Sequence, residues 1–237
     1  MSFCRRQPYT READAVRIEL ENIKKSFRKK EVLKGISLSA ESGTCIGILG
    51  GNGSGKSTLL SILAGVQPCD EGRFLCDGRD LLRDTALRGR AVGYVPQGTP
   101  LMEELTAKDN LSLWYSKDAM ERELENGVLR MLGVDRFLKT TVSKMSGGMK
   151  KRLSIGCAVA KRPPILLLDE PSAALDLECK ENIAQYLTLY KQGGGILLLA
   201  THDAAELALC DQWYILKDGL SLSYQYDGNV ERLVKSL

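Results

Sequence analysis

The chain has 237 residues, of which 43% are hydrophobic and 27% are charged, a composition typical of an ordinary globular protein. Its formal charge is only +3, from 33 basic and 30 acidic residues, and this near balance argues against a nucleic-acid partner. The sequence contains no run of about 20 apolar residues, the length that a spanning helix needs, so any work at a membrane requires a separate partner.

The first part of the chain predicts an extension followed by antiparallel strands. Residues 1–15 form the extension, which has no apolar core and therefore does not resemble a secretory signal. Segments 16–20 and 36–40 alternate apolar and polar residues, the pattern of half-exposed strands, with a basic turn around 28–30 between them. The seven cysteines include no Cys-x-x-Cys pair, which favours reduced thiols in a cytosolic protein.

The middle of the chain predicts a mostly parallel sheet with a helical insertion. The runs 45–49, 165–168 and 196–200 are apolar on both faces, as strands of a covered parallel sheet are. We predict that 98–145 is a helical subdomain and that 211–237 returns to short strands and a final helix. Helical patterns occupy 57–65, 103–116, 121–132 and 177–191. The predicted fold class is α/β, with one domain over 16–237.

A glycine-rich loop between an apolar strand and a helix fits the pattern G-x-x-x-x-G-K-[ST] of P-loop NTPases. Its glycines would let backbone amides approach phosphate oxygens, and the following helix would point its positive end at the anion. Lys56 would bridge the terminal phosphates and the Ser57 hydroxyl would bind Mg²⁺. The loop consists of Gly50, Gly51, Asn52, Gly53, Ser54, Gly55, Lys56 and Ser57.

Two further polar groups follow apolar runs that we interpret as strands. Asp169 would hold the hydration shell of Mg²⁺, and Glu170 would act as general base toward the attacking water; the alternative is an ordinary acidic loop. His202, the only histidine, is either structural or a donor to the γ-phosphate that also orients the water. Since the carboxyl ends of parallel strands share one edge of a sheet, Gly50, Asp169 and His202 should converge there.

A second helix start has the features of an anion site. Ser146 is a good N-cap and is followed by Gly147 and Gly148, whose exposed amides would face an anion; the alternative is a plain capped helix. Small residues are predicted to form one packed side of this helix: Leu153, Gly156, Cys157 and Ala160. The basic clusters 24–25, 28–30 and 150–152 are predicted to be solvated faces.

Six motifs occur in the order found in ATP-binding-cassette ATPases, and the chain resembles that family over about residues 16–220. The motifs are the 50–57 loop, Gln97 after 92–96, Ser146-Gly147-Gly148, Asp169-Glu170, the loop Ala174-Leu175-Asp176, and His202. The resemblance implies ATP and Mg²⁺ as cofactors and a homodimer or pseudo-dimer with a second ATPase. In that dimer the Ser146 helix of one copy covers the nucleotide of the other.

The resemblance also implies roles for individual residues. Gln97 would bind the metal and contact the attacking water, and it would communicate to the helical insertion whether nucleotide is bound. Thr58 and Asp176 would belong to the nucleotide site, and Phe27 would stack on adenine unless it is an ordinary strand aromatic. Met149, at the last signature position, is similar to a variant of exporter-type subunits.

These motifs favour one of three candidate functions. The first is a transporter ATPase at the cytoplasmic face of a membrane, which powers export through an integral membrane permease. In this function the 98–145 insertion would contact the permease through apolar side chains; the alternative is that these side chains pack in the core of the chain. They are Leu105, Leu111, Leu113 and Trp114. The second is a soluble cassette ATPase acting on ribosomes or DNA, disfavoured because neither a second cassette nor a long coiled coil is present. The third is a P-loop kinase or GTPase, disfavoured by the Ser146 helix and the lack of Asn-Lys-x-Asp.

Overall fold

The computed structural model describes residues 16–28, 30–173 and 175–236. The expected N-terminal extension, Lys29 of the basic turn and Ala174 of the motif loop lie outside the described residues. The strands are β1 (Arg17–Phe27), β2 (Lys30–Glu41), β3 (Cys45–Leu49), β4 (Glu71–Cys76), β5 (Arg79–Asp80), β6 (Val92–Val95), β7 (Ile165–Asp169), β8 (Ile196–Ala200), β9 (Gln212–Lys217) and β10 (Leu220–Tyr224).

Helices pack around these strands, and two single 3-10 turns at Val134–Phe137 and Val142–Lys144 link some of them. No helix in the described ranges combines the length and the apolar character needed to cross a bilayer. The helices are α1 (Lys56–Ala64), α2 (Thr85–Ala91), α3 (Ala107–Ser112), α4 (Lys117–Asn126), α5 (Val128–Met131), α6 (Gly147–Ala158), α7 (Leu177–Gln192), α8 (Ala204–Leu209) and α9 (Val230–Ser236).

The larger sheet has the strand order β10-β9-β3-β8-β7-β6, and all of its neighbouring strands are parallel except the β9/β10 pair. Every residue of β3, β7 and β8 is buried, which confirms the prediction of strands covered on both faces. Because these three strands are adjacent and parallel, their carboxyl ends lie side by side at one edge. The fold thus brings the three predicted strand ends together.

The smaller sheet is antiparallel, with the order β2-β1-β4-β5. The alternating burial of β1 and β2 confirms the prediction of half-exposed strands, although both strands are longer than expected. The sequence analysis missed β4, β5 and β6. The first half of β4 is exposed and polar, so this strand lacks a regular alternation of apolar and polar residues. Strands β5 and β6, with two and four residues, are too short to show such an alternation.

The helices of segment 98–145 differ from those predicted. The 103–116 helix is reduced to α3, because Thr106 caps it through a reciprocal bond with Asp109 and the chain turns after Ser112. The 121–132 helix is divided into α4 and α5 at Gly127, whose extended φ/ψ interrupts the helix. The domain boundaries, including that of the insertion, remain predictions.

Helix α6 is buried on nearly all sides, so the expected one-sided stripe of small residues is wrong. Its residues from Lys151 to Cys157 are all buried, because the helix lies between the 98–145 segment and the main sheet. The prediction that 150–152 forms a solvated face is also wrong: Arg152 Nη1 donates to the Leu132 carbonyl, and its guanidinium lies over the Phe137 ring. Lys25, expected on a solvated face, is buried as well.

Candidate functional site

The glycine-rich loop connects β3 to α1 and places backbone where side chains could not fit. Gly50 has a φ of +149°, and a Cβ there would lie 2.5 Å from Ser54 Oγ and 2.7 Å from the Leu216 carbonyl. Gly55 precedes α1 with a φ of +106°, and a Cβ there would lie 2.7 Å from Leu33 Cδ2 on β2. The loop therefore packs against both sheets and requires glycine at its two ends.

Lys56 is a buried cation at the first position of α1. Its Nζ donates to the carbonyls of Gly50 at 2.6 Å and of Gly51 at 3.2 Å, so the ammonium lies inside the loop. Burial lowers the pKa of Lys56, while the nearby carboxylates of Glu170 and Asp169 act in the opposite direction. The loop therefore concentrates positive charge at the edge of the sheet that carries the two acids.

Asp169 is the last residue of β7 and is buried. Burial raises the pKa of this carboxyl, whereas a hydrogen bond with the Ser57 hydroxyl and the charges of Lys56 and Lys151 lower it. Asp169 and Ser57 thus lie together beside the buried ammonium of Lys56, as the sequence motifs predict.

Glu170 leaves the strand with a φ of +47°, a left-handed conformation that is strained for a residue other than glycine. Its backbone N–H still donates to the Ala200 carbonyl of β8, at 2.8 Å. The side chain accepts a hydrogen bond from Gln97, with Nε2 and Oε2 separated by 3.0 Å. Gln97 follows β6, so its amide reaches the carboxylate from the end of the neighbouring strand.

His202 follows β8 and is exposed. Burial of its ring and the charge of Lys56 lower the pKa of His202, against the opposing effect of Glu170. The imidazole is therefore neutral at neutral pH and has one N–H to donate. His202 lines a cleft of about 240 Å³ together with Glu170, Ser172, Ala173, Thr201, Asp203 and Glu206.

Ser146 caps helix α6, and Gly147 and Gly148 form its first two residues. The Ser146 Oγ accepts a bond from the Met149 N–H at 3.3 Å, which confirms the predicted N-cap. A Cβ on Gly148 would lie 2.5 Å from Cys179 Sγ, so the helix start packs tightly against α7. Within the described chain, no hydrogen bond or ion pair joins these three residues to residues 50–58.

The other site candidates lie around the loop and at the start of α7. Asp176 caps α7 by accepting a bond from the Cys179 N–H at 2.8 Å, and this bond lowers its pKa. Thr58 is half-buried in the first turn of α1. Phe27 is 44% exposed at the end of β1, and Lys25 Nζ lies 5.5 Å from its ring centroid.

The residues at this edge fit a magnesium-bound nucleotide. The Ser54 Oγ is buried and has no hydrogen-bond partner in the described chain, and the buried Lys56 ammonium can neutralise phosphate charge. Oxygen atoms of Ser57, Gln97 and Asp169 are of the hard type that Mg²⁺ prefers. Over the described residues, no group of three or more His, Cys, Asp or Glu side chains could hold a metal ion.

Two polar residues near the site were not singled out in the sequence. Lys151 on α6 donates from Nζ to the carbonyls of Pro96 at 2.9 Å and Gln97 at 3.0 Å. Glu206 is buried on α8 and hydrogen-bonded to the Thr201 hydroxyl, and burial raises its pKa. No signal in the sequence indicated the burial of Lys151, which stands between the basic residues Lys150 and Arg152.

Comparisons with known proteins give one consistent family. The family model described as "ABC transporter" matches residues 33–173, more than half of the chain. The linearmycin resistance ATP-binding protein LnrL of Bacillus subtilis (strain 168) is 34% identical over 209 residues, which cover 85% of this chain and 67% of LnrL. The spermidine/putrescine import ATP-binding protein PotA of Spiroplasma citri is 35% identical, over 85% of this chain and 59% of PotA.

A solved structure agrees with these sequence relatives. It is a dimeric ATP-binding cassette in a post-hydrolysis state bound to ADP and Pi, and it has a TM-score of 0.78 and 30% identity to this chain. The likeness covers 88% of this chain and 98% of that one. The chain thus spans nearly the whole of a solved cassette but about three fifths to two thirds of the two relatives above.

Proposed function

This chain belongs to the ABC transporter family of ATP-binding proteins, and on that premise we propose that it powers a separate membrane-embedded permease by binding and hydrolysing MgATP. Family membership confirms the predicted resemblance, the P-loop NTPase fold and, at the level of the family, the predicted ATPase. The alternative of a soluble cassette acting on ribosomes or nucleic acid has no support, since the relatives above are named for resistance and import.

One observation carries the proposal for the reaction: the Gln97 amide donates to Glu170 beside the glycine-rich loop. The contact joins the ends of two adjacent parallel strands, β6 and β7, at the edge where α/β sheets bind ligands. It leaves the second carboxylate oxygen of Glu170 able to accept a proton. This arrangement suits a carboxylate that acts on a water molecule near the terminal phosphate.

In the proposed mechanism each residue has one task. Lys56 and the loop amides bind the phosphates. Glu170 accepts a proton from the attacking water as its oxygen bonds to the γ-phosphorus, while the bond from that phosphorus to the bridging oxygen breaks and ADP leaves with the bridging oxygen. His202, neutral because its pKa is lowered, donates a hydrogen bond toward the terminal phosphate. Mg²⁺, when bound, neutralises charge on the β- and γ-phosphates. We assign its protein ligands to Ser57, Gln97 and Asp169.

Replacing Lys56 with methionine should weaken MgATP binding by about 10- to 10²-fold, because a hydrogen bond to a charged group contributes roughly 1.5–3 kcal/mol. Methionine keeps most of the side-chain volume but removes the ammonium. The measurement is isothermal titration calorimetry with MgATP. The matched control is Lys108→Met, which removes an exposed lysine on α3. Equal affinity of Lys56→Met and wild type would show that the loop does not bind phosphate.

We further propose that the site is completed by a second ATPase copy, identical or related. Ser146 and Gly147 are exposed at the start of α6, and the neighbouring Asp176 and Leu177 are exposed as well. Leu177 is 85% exposed. These residues would face the nucleotide of the partner copy, with the positive end of α6 directed at its phosphates. Phe27, Thr58 and Asp176 are assigned to nucleotide contacts from the resemblance to the family.

The proposed docking surface for the permease is the groove beside Trp114. Leu113 and Trp114 are 56% and 54% exposed, whereas Leu111 is fully buried and belongs to the core. The groove has a volume of about 360 Å³ and is mostly apolar, with Arg90 and Lys161 on its rim. We propose that it holds a cytoplasmic segment of the permease with an apolar side and a carboxylate. With a permease bound there, we propose that the chain works at the cytoplasmic face of the membrane.

Trp114→Ala should weaken binding to the permease about tenfold or more, since aromatic anchors at interfaces often contribute about 2 kcal/mol or more. The readout is flotation of the purified chain with vesicles that contain its membrane permease. ATP hydrolysis by the chain alone should not change. Leu222→Ala, which removes a 52%-exposed leucine from edge strand β10, is the control. Unchanged flotation of the Trp114 variant would exclude this groove as the docking surface.

We propose export as the direction of transport, on the basis of Met149 at the last signature position. The test is transport in vesicles reconstituted with the chain and its membrane partner. Substrate movement away from the side that carries the ATPase, dependent on added ATP, supports export. Movement toward that side contradicts it and leaves the ATPase mechanism intact.

A further inference from the structure

Lys151 makes a contact that the proposed mechanism does not use. It lies one turn into α6 and is 5% exposed. Its Nζ donates to two consecutive backbone carbonyls, those of Pro96 at 2.9 Å and Gln97 at 3.0 Å. In an extended strand successive carbonyls point to opposite sides. Their convergence on one ammonium therefore defines the turn with which the chain leaves β6.

The environment of this lysine is unusual for a buried cation. Over the described residues, no carboxylate lies within 4.0 Å of its Nζ, so it is held by carbonyl oxygens and not by an ion pair. Burial lowers its pKa, and the carboxylates of Asp169, Glu206 and Glu170 oppose that shift. A buried ammonium without a close counter-ion is costly. Its presence at this point suggests a task beyond packing.

The contacts form a continuous path between two parts of the proposed site. The path begins at Ser146 and the start of α6, passes through Lys151 to the backbone of Gln97, and continues from the Gln97 amide to Glu170. The first link is the backbone of helix α6, and the other two are hydrogen bonds of 3.0 Å. The helix that would face the partner's nucleotide is thus connected to the carboxylate that would act on the chain's own nucleotide.

We propose that Lys151 is a positioning residue that holds the backbone at Gln97, so that the Gln97 amide orients Glu170 and couples α6 to the reaction within one copy. The inference rests on the proposed function. Without the ammonium, the two carbonyls repel each other and the turn relaxes. A misplacement of about 1 Å at a reacting group can cost up to 10²-fold in rate.

The test is a comparison of ATP hydrolysis by wild type, Lys151→Met and Lys151→Gln. We expect Lys151→Met to lower kcat by about 10- to 10²-fold, with KM and calorimetric affinity for MgATP within about threefold of wild type. Lys151→Gln keeps a donor without a buried charge, and its kcat should be intermediate. Lys150→Met is the matched control, because this neighbouring lysine forms only a surface ion pair with Glu103.

A double-mutant cycle with Gln97→Ala separates positioning from general destabilisation. If Lys151 acts through Gln97, Lys151→Met should lower kcat by less than about threefold in the Gln97→Ala background. An equal loss in both backgrounds, or wild-type kcat in a folded Lys151 variant, would overturn the proposal. Thermal melting shows whether the Lys151→Met variant is folded. If it is not, the same double-mutant cycle is measured with Lys151→Gln. A wild-type chain that does not hydrolyse MgATP would instead overturn the proposed function.

Discussion

Replacing Glu170 with glutamine is expected to lower kcat for ATP hydrolysis by about 10²-fold or more, while MgATP still binds with near wild-type affinity. Glutamine has the same shape but cannot accept the proton of the attacking water. Its amide oxygen can still accept the hydrogen bond from Gln97 that the carboxylate accepts at 3.0 Å. The geometry of the site should therefore persist while the base is lost.

The measurement combines steady-state hydrolysis with calorimetry of MgATP binding. Glu178→Gln is the matched control, since this exposed glutamate forms a surface ion pair with Arg136 at 3.3 Å. It should hydrolyse ATP at the wild-type rate. Turnover by Glu170→Gln within a few-fold of wild type would remove Glu170 from the role of general base and direct attention to His202.

The second large effect is expected from Ser146→Arg, which should abolish dimers formed in the presence of ATP. Ser146 and Gly147 are exposed at the start of α6. In the proposed dimer these small residues would leave room for the partner's triphosphate. An arginine side chain would occupy that space. The nucleotide affinity of the monomer should not change, since no hydrogen bond or ion pair in the described chain joins Ser146 to its own loop 50–58.

Light scattering in MgATP, in the Glu170→Gln background that preserves ATP, measures the dimer. Two controls separate the possible causes. Ser146→Ala removes the hydroxyl and the helix cap without adding bulk, at a cost of about 1 kcal/mol in stability, and should retain more dimer than Ser146→Arg. Ser112→Arg places the same side chain on exposed α3 and should also dimerise. Dimers of Ser146→Arg at the wild-type level would contradict the shared site.

Much of the fold followed from local patterns. The buried strands β3, β7 and β8 are recognisable because continuous apolar runs are rare outside covered sheets. Helices α1 and α7 begin and end close to their predicted limits, since Gly65 and Asp176 are strong local signals at helix ends. Helix α3 was predicted too long, and α4 and α5 were predicted as one helix over 121–132, although α4 begins at Lys117. Apolar spacing alone does not reveal the end after Ser112, the cap at Ser116 or the break at Gly127.

For the site, too, some features could be predicted from the sequence and others only from the structure. The sequence by itself determined the chemistry: which loop can accept phosphate, which carboxylates follow buried strands, and which helix start can face an anion, because each depends on residues that are neighbours in the chain. The tertiary structure alone decided the contacts between distant segments, such as Gln97 with Glu170 and Lys151 with the Gln97 backbone. The physical reason is that burial of a charge such as Lys151 depends on what packs around the whole of α6. No local run of residues encodes that packing.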